Sequence, residues 1–317
     1  MKYINLDNYG RREDPFYFAL ESHLLNLTGD FSFIWDVYPA VIIGKHQLSQ
    51  NEVNFDYLKA NDIKLFRRPS GGGAVYSDPG CIKYTFIARD KSKDEMYEKY
   101  LKVIQSFLKT LGLEARFSGR NDLVINGFKF SGNAYYQTNK GAVLHGTILF
   151  DTDLDKMSKV LTPSTNKLKS KGVKSVQSRV INLSELLDIS RDEFISLFKK
   201  FLNHNEIYLT KEDEKVVYQL EKELRSDNYI FKKDPKYQIT RQKRFDWGEI
   251  ILNYEVKNDI ISKIKIYGDF FEKEDIETLE NHLKNQNIKK LELKLIASDY
   301  IDKMTNQELL KLIKGWK

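Results

Sequence analysis

Two short stretches hold the residues whose types and spacing could do chemistry. The first, RRPSGGGAVYSD at residues 67–78, sets two arginines and a proline ahead of three consecutive glycines. Glycine loses more backbone freedom on folding than any other residue, so a triplet points to a place where side chains do not fit. It is not a Walker A loop, because no Gly-Lys-Ser/Thr follows. Nor is it a dinucleotide fingerprint: Tyr76 stands at the last glycine position, and a strand rather than a helix follows. What remains is a strand–glycine–strand turn whose backbone N–H groups could nest an anion, with Arg67 and Arg68 at its entrance. The planar guanidinium suits phosphate. A phosphate cradle and a plain structural turn both satisfy this local chemistry.

The second stretch is NDLVINGFKFSG, residues 121–132. Asn-Gly between two alternating runs predicts a two-residue type I′ hairpin. Ile125 then faces Phe128, Val124 faces Lys129, Leu123 faces Phe130, and Asp122 faces Ser131. Strand side chains alternate, so Leu123, Ile125, Phe128 and Phe130 share a core side, and Asp122, Val124, Lys129 and Ser131 share the other. An acid and a lysine are thereby offered together. Lys129 and Asp122 also suit a solvated surface. The histidines (His23, His46, His145, His204, His282) show no paired metal-ligand spacing. His145, on the strand AVLHGTILF, reads by default as a hydrogen-bonded core or rim residue, and Cys81 as a buried, inert thiol.

The elements that must position these residues follow from periodicity. FSFIWDVYPAVIIG reads as two strands broken at Pro39, and NFDYLKAND as a short helix. IKLFRR leads into the glycine turn, and AVYSD and CIKYTFIAR follow it as strands. DEMYEKYLKVIQSFLKTLG is the clearest helix, with Tyr97, Leu101, Ile104, Leu108 and Leu111 at helical spacing and Gly112 as its terminating glycine. SELLDISRDEFISLFKKFLN and TKEDEKVVYQLEKELRS are also helical. The polar DNYIFKKDPKYQITRQKR reads as a boundary. Beyond it a small meander, turning at KNDI, and two amphipathic helices close the chain. The expectation is an α/β (α+β) protein with a large mixed-sheet domain at 1–240 and a small α/β domain at 245–317.

Composition narrows the class. With 41% hydrophobic and 30% charged residues the chain has an ordinary globular balance. No apolar run is long enough to span a bilayer. Its N-terminal residues lack the apolar core of a signal peptide, and a single cysteine suits a reducing compartment, so a cytoplasmic location is expected. The net charge of +6 does not choose among anionic partners. Residues 156–179 carry seven lysines or arginines and no acid, which on charge alone suits a solvated loop. Without interleaved aromatics there, nucleic acid is not an expected partner.

Together RRPSGGGAVYSDPG, GRNDLVINGFKFSGNA, LHGTILFDTDLDKMSKVLTP and NKLKSKGVKSVQSRVINL resemble the motifs of lipoate–protein ligases, in order and spacing. The tail, with RFDWGEI and KIYGDFF, resembles the accessory domain of the bacterial two-domain members. The resemblance implies the biotin/lipoate-ligase fold and a two-step reaction. Lipoate and ATP, with Mg2+, give lipoyl-AMP and pyrophosphate. The lipoyl group then passes to a lysine of a lipoyl domain of a 2-oxoacid dehydrogenase E2 subunit, or of glycine-cleavage H protein.

By the same resemblance Arg68, Gly73, Ala74, Val75 and Tyr76 contact the nucleotide, and catalytic Lys129 touches both lipoyl carbonyl and phosphate. Asp122 is the carboxylate for magnesium. Gly132, Ala134 and His145 lie along the lipoate, with Gly44 and Gln47 as further slot walls. Residues 167–180 resemble the adenylate-binding loop, and a monomer is implied. Three departures stand out: Ser77 and Cys81 where many members carry histidine and asparagine, and His145 alone where a double histidine is commoner. The rival within the fold is an ATP-independent octanoyl or lipoyl transferase working through a cysteine thioester, for which Cys81 is the one available thiol.

Overall fold

The computed structural model describes residues 1–89, 92–118, 121–161, 179–231 and 237–315. In chain order its strands are β1 (Lys2–Ile4), β2 (Phe31–Trp35), β3 (Ala40–Ile43), β4 (Lys64–Arg67), β5 (Val75–Ser77), β6 (Cys81–Ala88) and β7 (Arg116–Ser118). They continue as β8 (Asp122–Ile125), β9 (Phe128–Thr138), β10 (Gly141–Leu149), β11 (Glu206–Ile207), β12 (Ile239–Phe245), β13 (Gly248–Lys257) and β14 (Ile260–Gly268). The longer helices are α1 (Asp14–Leu24), α2 (Lys93–Thr110), α3 (Arg191–Leu202), α4 (Lys211–Leu224), α5 (Ile276–Leu283) and α6 (Asn306–Lys314).

A mixed eight-stranded sheet runs β11-β1-β2-β6-β10-β9-β8-β7, and a three-stranded sheet, β4-β3-β5, carries the glycine turn between its outer strands. A third sheet, β12-β13-β14, lies in the C-terminal domain with its own core around Leu252, Tyr254, Leu279 and Leu312. Apolar side chains of the main sheet split between two clusters. Ile82, Tyr84 and Phe86 pack under α2 and α3, while Phe33, Trp35 and Val143 pack with α1.

Local chemistry explains most elements. On α2, Ser92 and Glu95 form a reciprocal capping box, and Tyr97, Leu101, Ile104 and Leu108 are buried. Gly112 takes φ +80° beyond the C-cap. Asn126 and Gly127 both take positive φ, as the type I′ turn requires, and Asn258 and Asp259 repeat the device between β13 and β14.

Three expectations are corrected. Helix α1 has no counterpart in the sequence reading, because all its residues except Ser22 are buried and no polar face marks a helical period. Residues 239–244, the end of the polar stretch expected to be a boundary, form strand β12 together with Phe245, against β13. As an edge strand it exposes Thr240, Arg241 and Gln242, which hides the apolar signal.

The third correction concerns the hairpin. Ile125 faces Phe128 and Val124 faces Lys129 as expected, but a bulge follows, so Leu123 faces Ser131 and Asp122 faces Gly132. Phe128 is 44% exposed rather than part of the core. Ser131 leaves the lysine's face and bonds instead with Tyr84 beneath the sheet.

Candidate active site

A cavity of about 450 Å³ opens between the main sheet and the β4-β3-β5 sheet. Its floor is the row of residues that strand alternation turns away from α2: Lys83 on β6, His145, Thr147 and Leu149 on β10, and Gly132 and Ala134 on β9. Gly73, Ala74, Val75 and Tyr76 form one wall, and Arg179 and Val180 another. Arg244, Asp246 and Asp269 of the C-terminal domain reach its edge. One end is apolar, with Phe18, Trp35, Ile42 and Met157; the other carries Asn121, Asp122 and Lys129.

Lys129 and Asp122 meet in an ion pair of 2.6 Å, with side chains 30% and 17% exposed. The hairpin aims both the same way, and the lysine stem folds back over Gly132. A Cβ there would lie 2.9 Å from Nζ, so any larger residue would push the flexible tip of the lysine aside. The strand is pinned from the far side, where the Ile181 N–H donates to the Lys129 carbonyl at 3.0 Å. Gly132 exchanges contacts of 3.3 Å with Thr147 Oγ1.

The glycine turn is held from within. Arg68 is 5% exposed, and its guanidinium donates to the carbonyls of Ile42, Gly71 and Gly73 and to Ser70 Oγ. Burial lowers its pKa to about 10. Arg67 donates to the carbonyls of Gly44, Lys45, Gln47, Tyr229 and Ile230. Both arginines therefore shape backbone, and of the two only Arg68 also lines the cavity. The glycines have separate reasons. A Cβ on Gly71 would collide with the Phe270 carbonyl of the C-terminal domain. Gly72, at φ +92°, donates its N–H to that same carbonyl at 3.2 Å.

His145 lies in a buried relay that the sequence reading missed. Its Nδ1 is 2.9 Å from Glu21 Oε1, and its Nε2 is 2.8 Å from Ser70 Oγ. Glu21 also accepts from Thr85 at 2.8 Å, and Thr85 accepts from Trp35 Nε1 at 3.0 Å. The chain of bonds ties α1, the main sheet and the glycine turn together, and each buried polar group gains a partner. A lone acid within the apolar FALESHLL was the one available signal for Glu21.

Gly44 and Gln47 do not line the cavity. Gly44 donates to Gln47 Oε1 at 2.8 Å, and a Cβ on it would strike the Gly72 carbonyl, so both support the turn from behind. Cys81 is wholly buried, and burial pushes its thiol up to about 12, away from nucleophilic use. Of the stretch 167–180, residues 167–178 lie outside the described residues, while Arg179 and Val180 line the cavity. Among the described residues no cluster of three or more metal-ligating side chains occurs, and no helix is long and apolar enough to cross a membrane.

The chain matches the model of the lipoyl protein ligase A/B catalytic domain over residues 15–203 and that of the bacterial lipoate protein ligase C-terminus over residues 234–313. It is 36% identical over 294 residues to lipoate-protein ligase LplJ of Bacillus subtilis, covering 87% of this chain and 88% of that protein. Among solved structures, an ATP-bound lipoate-protein ligase A is similar with TM-score 0.62 and 25% identity, covering 73% of this chain and 98% of the other. A bipartite lipoate protein ligase from Thermoplasma acidophilum, described with its E2 lipoyl domain, is similar with TM-score 0.63 and 27% identity, covering 75% and 98%. With both domain models matched in order around a cavity of this chemistry, the chain belongs to the lipoate–protein ligase family and is an enzyme of the ligase type.

Proposed function

We propose that the protein joins lipoate to ATP, forming lipoyl-AMP and pyrophosphate, and passes the lipoyl group to a lysine of an acceptor protein. One observation carries this reading: a single cavity brings an ammonium–carboxylate pair, a backbone wall of Gly73, Ala74, Val75 and Tyr76, and an apolar end together. The apolar end suits an acyl chain and dithiolane. The backbone wall suits the nucleotide, with Arg68 holding the turn in shape behind it. Attack of a carboxylate on the α-phosphate gathers negative charge, and a fixed cation where that charge develops is the largest aid a site can give. Lys129 is that cation. In the second step its ammonium polarises the mixed anhydride towards the incoming amine.

Asp122 fits a magnesium ion, which takes one or two carboxylates with substrate phosphates, and its place beside Lys129 at the polar end suits that role. Bound there, Mg2+ would neutralise phosphate charge. The acceptor we propose is a lipoyl domain of a 2-oxoacid dehydrogenase E2 subunit or glycine-cleavage H protein, and an E2 lipoyl domain accompanies the Thermoplasma relative. A cytoplasmic monomer, with catalytic and accessory domains dividing near residue 240, completes the reading.

The decisive measurement is pyrophosphate release with ATP and lipoate, run with and without a lipoyl-domain acceptor. Lipoate-dependent release, followed by acceptor lipoylation and AMP formation, is expected. Lipoylation from an acyl-carrier donor with no ATP requirement would favour the transferase route, against which the burial of Cys81 already argues.

A further inference from the structure

The apolar end of the cavity contains a charge. Lys83 lines it and is 4% exposed, and its ammonium donates to Asp14, which is wholly buried in the first turn of α1. The ammonium also stands 4.8 Å from the centre of the Trp35 ring, a cation–π contact. Asp14 Oδ2 has no hydrogen-bond partner. Withdrawing such a pair from water carries a desolvation penalty that hydrophobic residues of the same volume would avoid. A slot built only to hold hydrocarbon has no use for it.

Strand register fixes where this charge stands. Lys83 pairs across the sheet with Trp35 on one side and Thr147 on the other, and Thr147 contacts Gly132, over which the Lys129 ammonium lies. Neighbouring strands are about 4.8 Å apart, so Lys83 stands two strands, or roughly 10 Å, from Gly132. An extended eight-carbon acid with its carboxylate at Lys129 ends beside Lys83.

We propose that Lys83, held by Asp14 over Trp35, is a specificity-determining residue that favours acyl chains whose far end accepts a hydrogen bond, and so selects lipoate over octanoate. The inference rests on the ligase reading above. An ammonium has three donors, and divalent sulfur is a weak, polarisable acceptor. A terminal methyl group excludes water from the ammonium and offers nothing in return. Sites with a buried donor reject analogues lacking the matching acceptor more strongly than apolar pockets reject a missing methylene.

The test compares kcat/KM for pyrophosphate release with lipoate, octanoate and 8-hydroxyoctanoate, the last adding an acceptor without the dithiolane's bulk. It uses the full chain, Lys83→Met, and the double variant Asp14→Asn/Lys83→Met, which leaves no unpaired carboxylate if the single variant folds poorly. Both the lipoate:octanoate and the 8-hydroxyoctanoate:octanoate ratios are expected to fall about tenfold in the variants. If either ratio stays within about threefold of its original value in the double variant, the proposal is overturned. Absence of release with every acid in the unaltered protein would remove the ligase reading and this inference with it.

Discussion

The two faces of the main sheet are made by alternate residues of the same strands, yet they differ in kind. Towards α2 and α3, β6 presents Ile82, Tyr84 and Phe86, and β10 presents Ala142, Leu144 and Ile148; all are buried in a dry cluster with Phe107 and Phe198. Towards α1 and the glycine turn, the same strands present Lys83, Thr85, His145 and Thr147. The first face is closed by helices through apolar contact. The second is closed in part by the C-terminal domain, where Glu272 pairs with Lys45 and His46 and the His46 ring stacks on Phe270 at 4.9 Å. A period of two thus lets one strand serve stability on one side and chemistry on the other, with little trade between them.

Substitutions can break that division. Phe86 is 1% exposed and stacks on Tyr100 at 4.6 Å. Phe86→Ala should therefore cost about 3–5 kcal/mol in denaturant unfolding while the folded enzyme keeps its turnover. A loss of turnover without lost stability would mean that the faces are coupled. Lys129→Ala should do the converse, lowering lipoate-dependent pyrophosphate release about 100–1,000-fold with an unchanged melting curve. Near-normal release would remove Lys129 from the centre of the mechanism.

The smallest effect concerns the ionic seam. Burial alone would raise the Glu272 carboxyl, but His46 and Lys45 outweigh it and hold it down, from an ordinary 4.5 to about 2. A depressed folded-state value means stability present above pH 4.5 and lost as pH falls towards 2. Glu272→Gln should therefore be less stable than the parent by on the order of 2 kcal/mol near neutrality, a gap that closes on acidification through this window. A gap constant with pH would show that the seam is not electrostatic.

Much of this division can be read along the chain. The glycine turn, the Asn-Gly hairpin, α2 and its terminating glycine are local signals, each written within a few residues. The functional face is less legible because its partners come from far apart. Glu21 reaches Thr85 and His145, and Asp14 reaches Lys83, through packing that no window of sequence contains. Helix α1, which supplies both acids, carries no amphipathic period since nearly all of it is buried. The arginines of the turn invited a phosphate reading, yet a guanidinium serves backbone carbonyls equally well, and only the fold decides which it meets.

The bulge in the hairpin also bears on how the site can change. Lys129 stands at an odd position, whereas Gly132 and Ala134 are even, yet all three line one cavity. The extra residue at Phe130 inverts the parity of β9, so counting by twos from the lysine leads to the wrong neighbours. Without the bulge, residues 129 and 132, three apart, would alternate to opposite sides of the strand, so the unpaired residue is what keeps the ammonium and Gly132 on one face. An insertion of one residue here, unlike a deletion that also removes the bulge, would turn the lysine away from its glycine, so the segment tolerates change in one direction only.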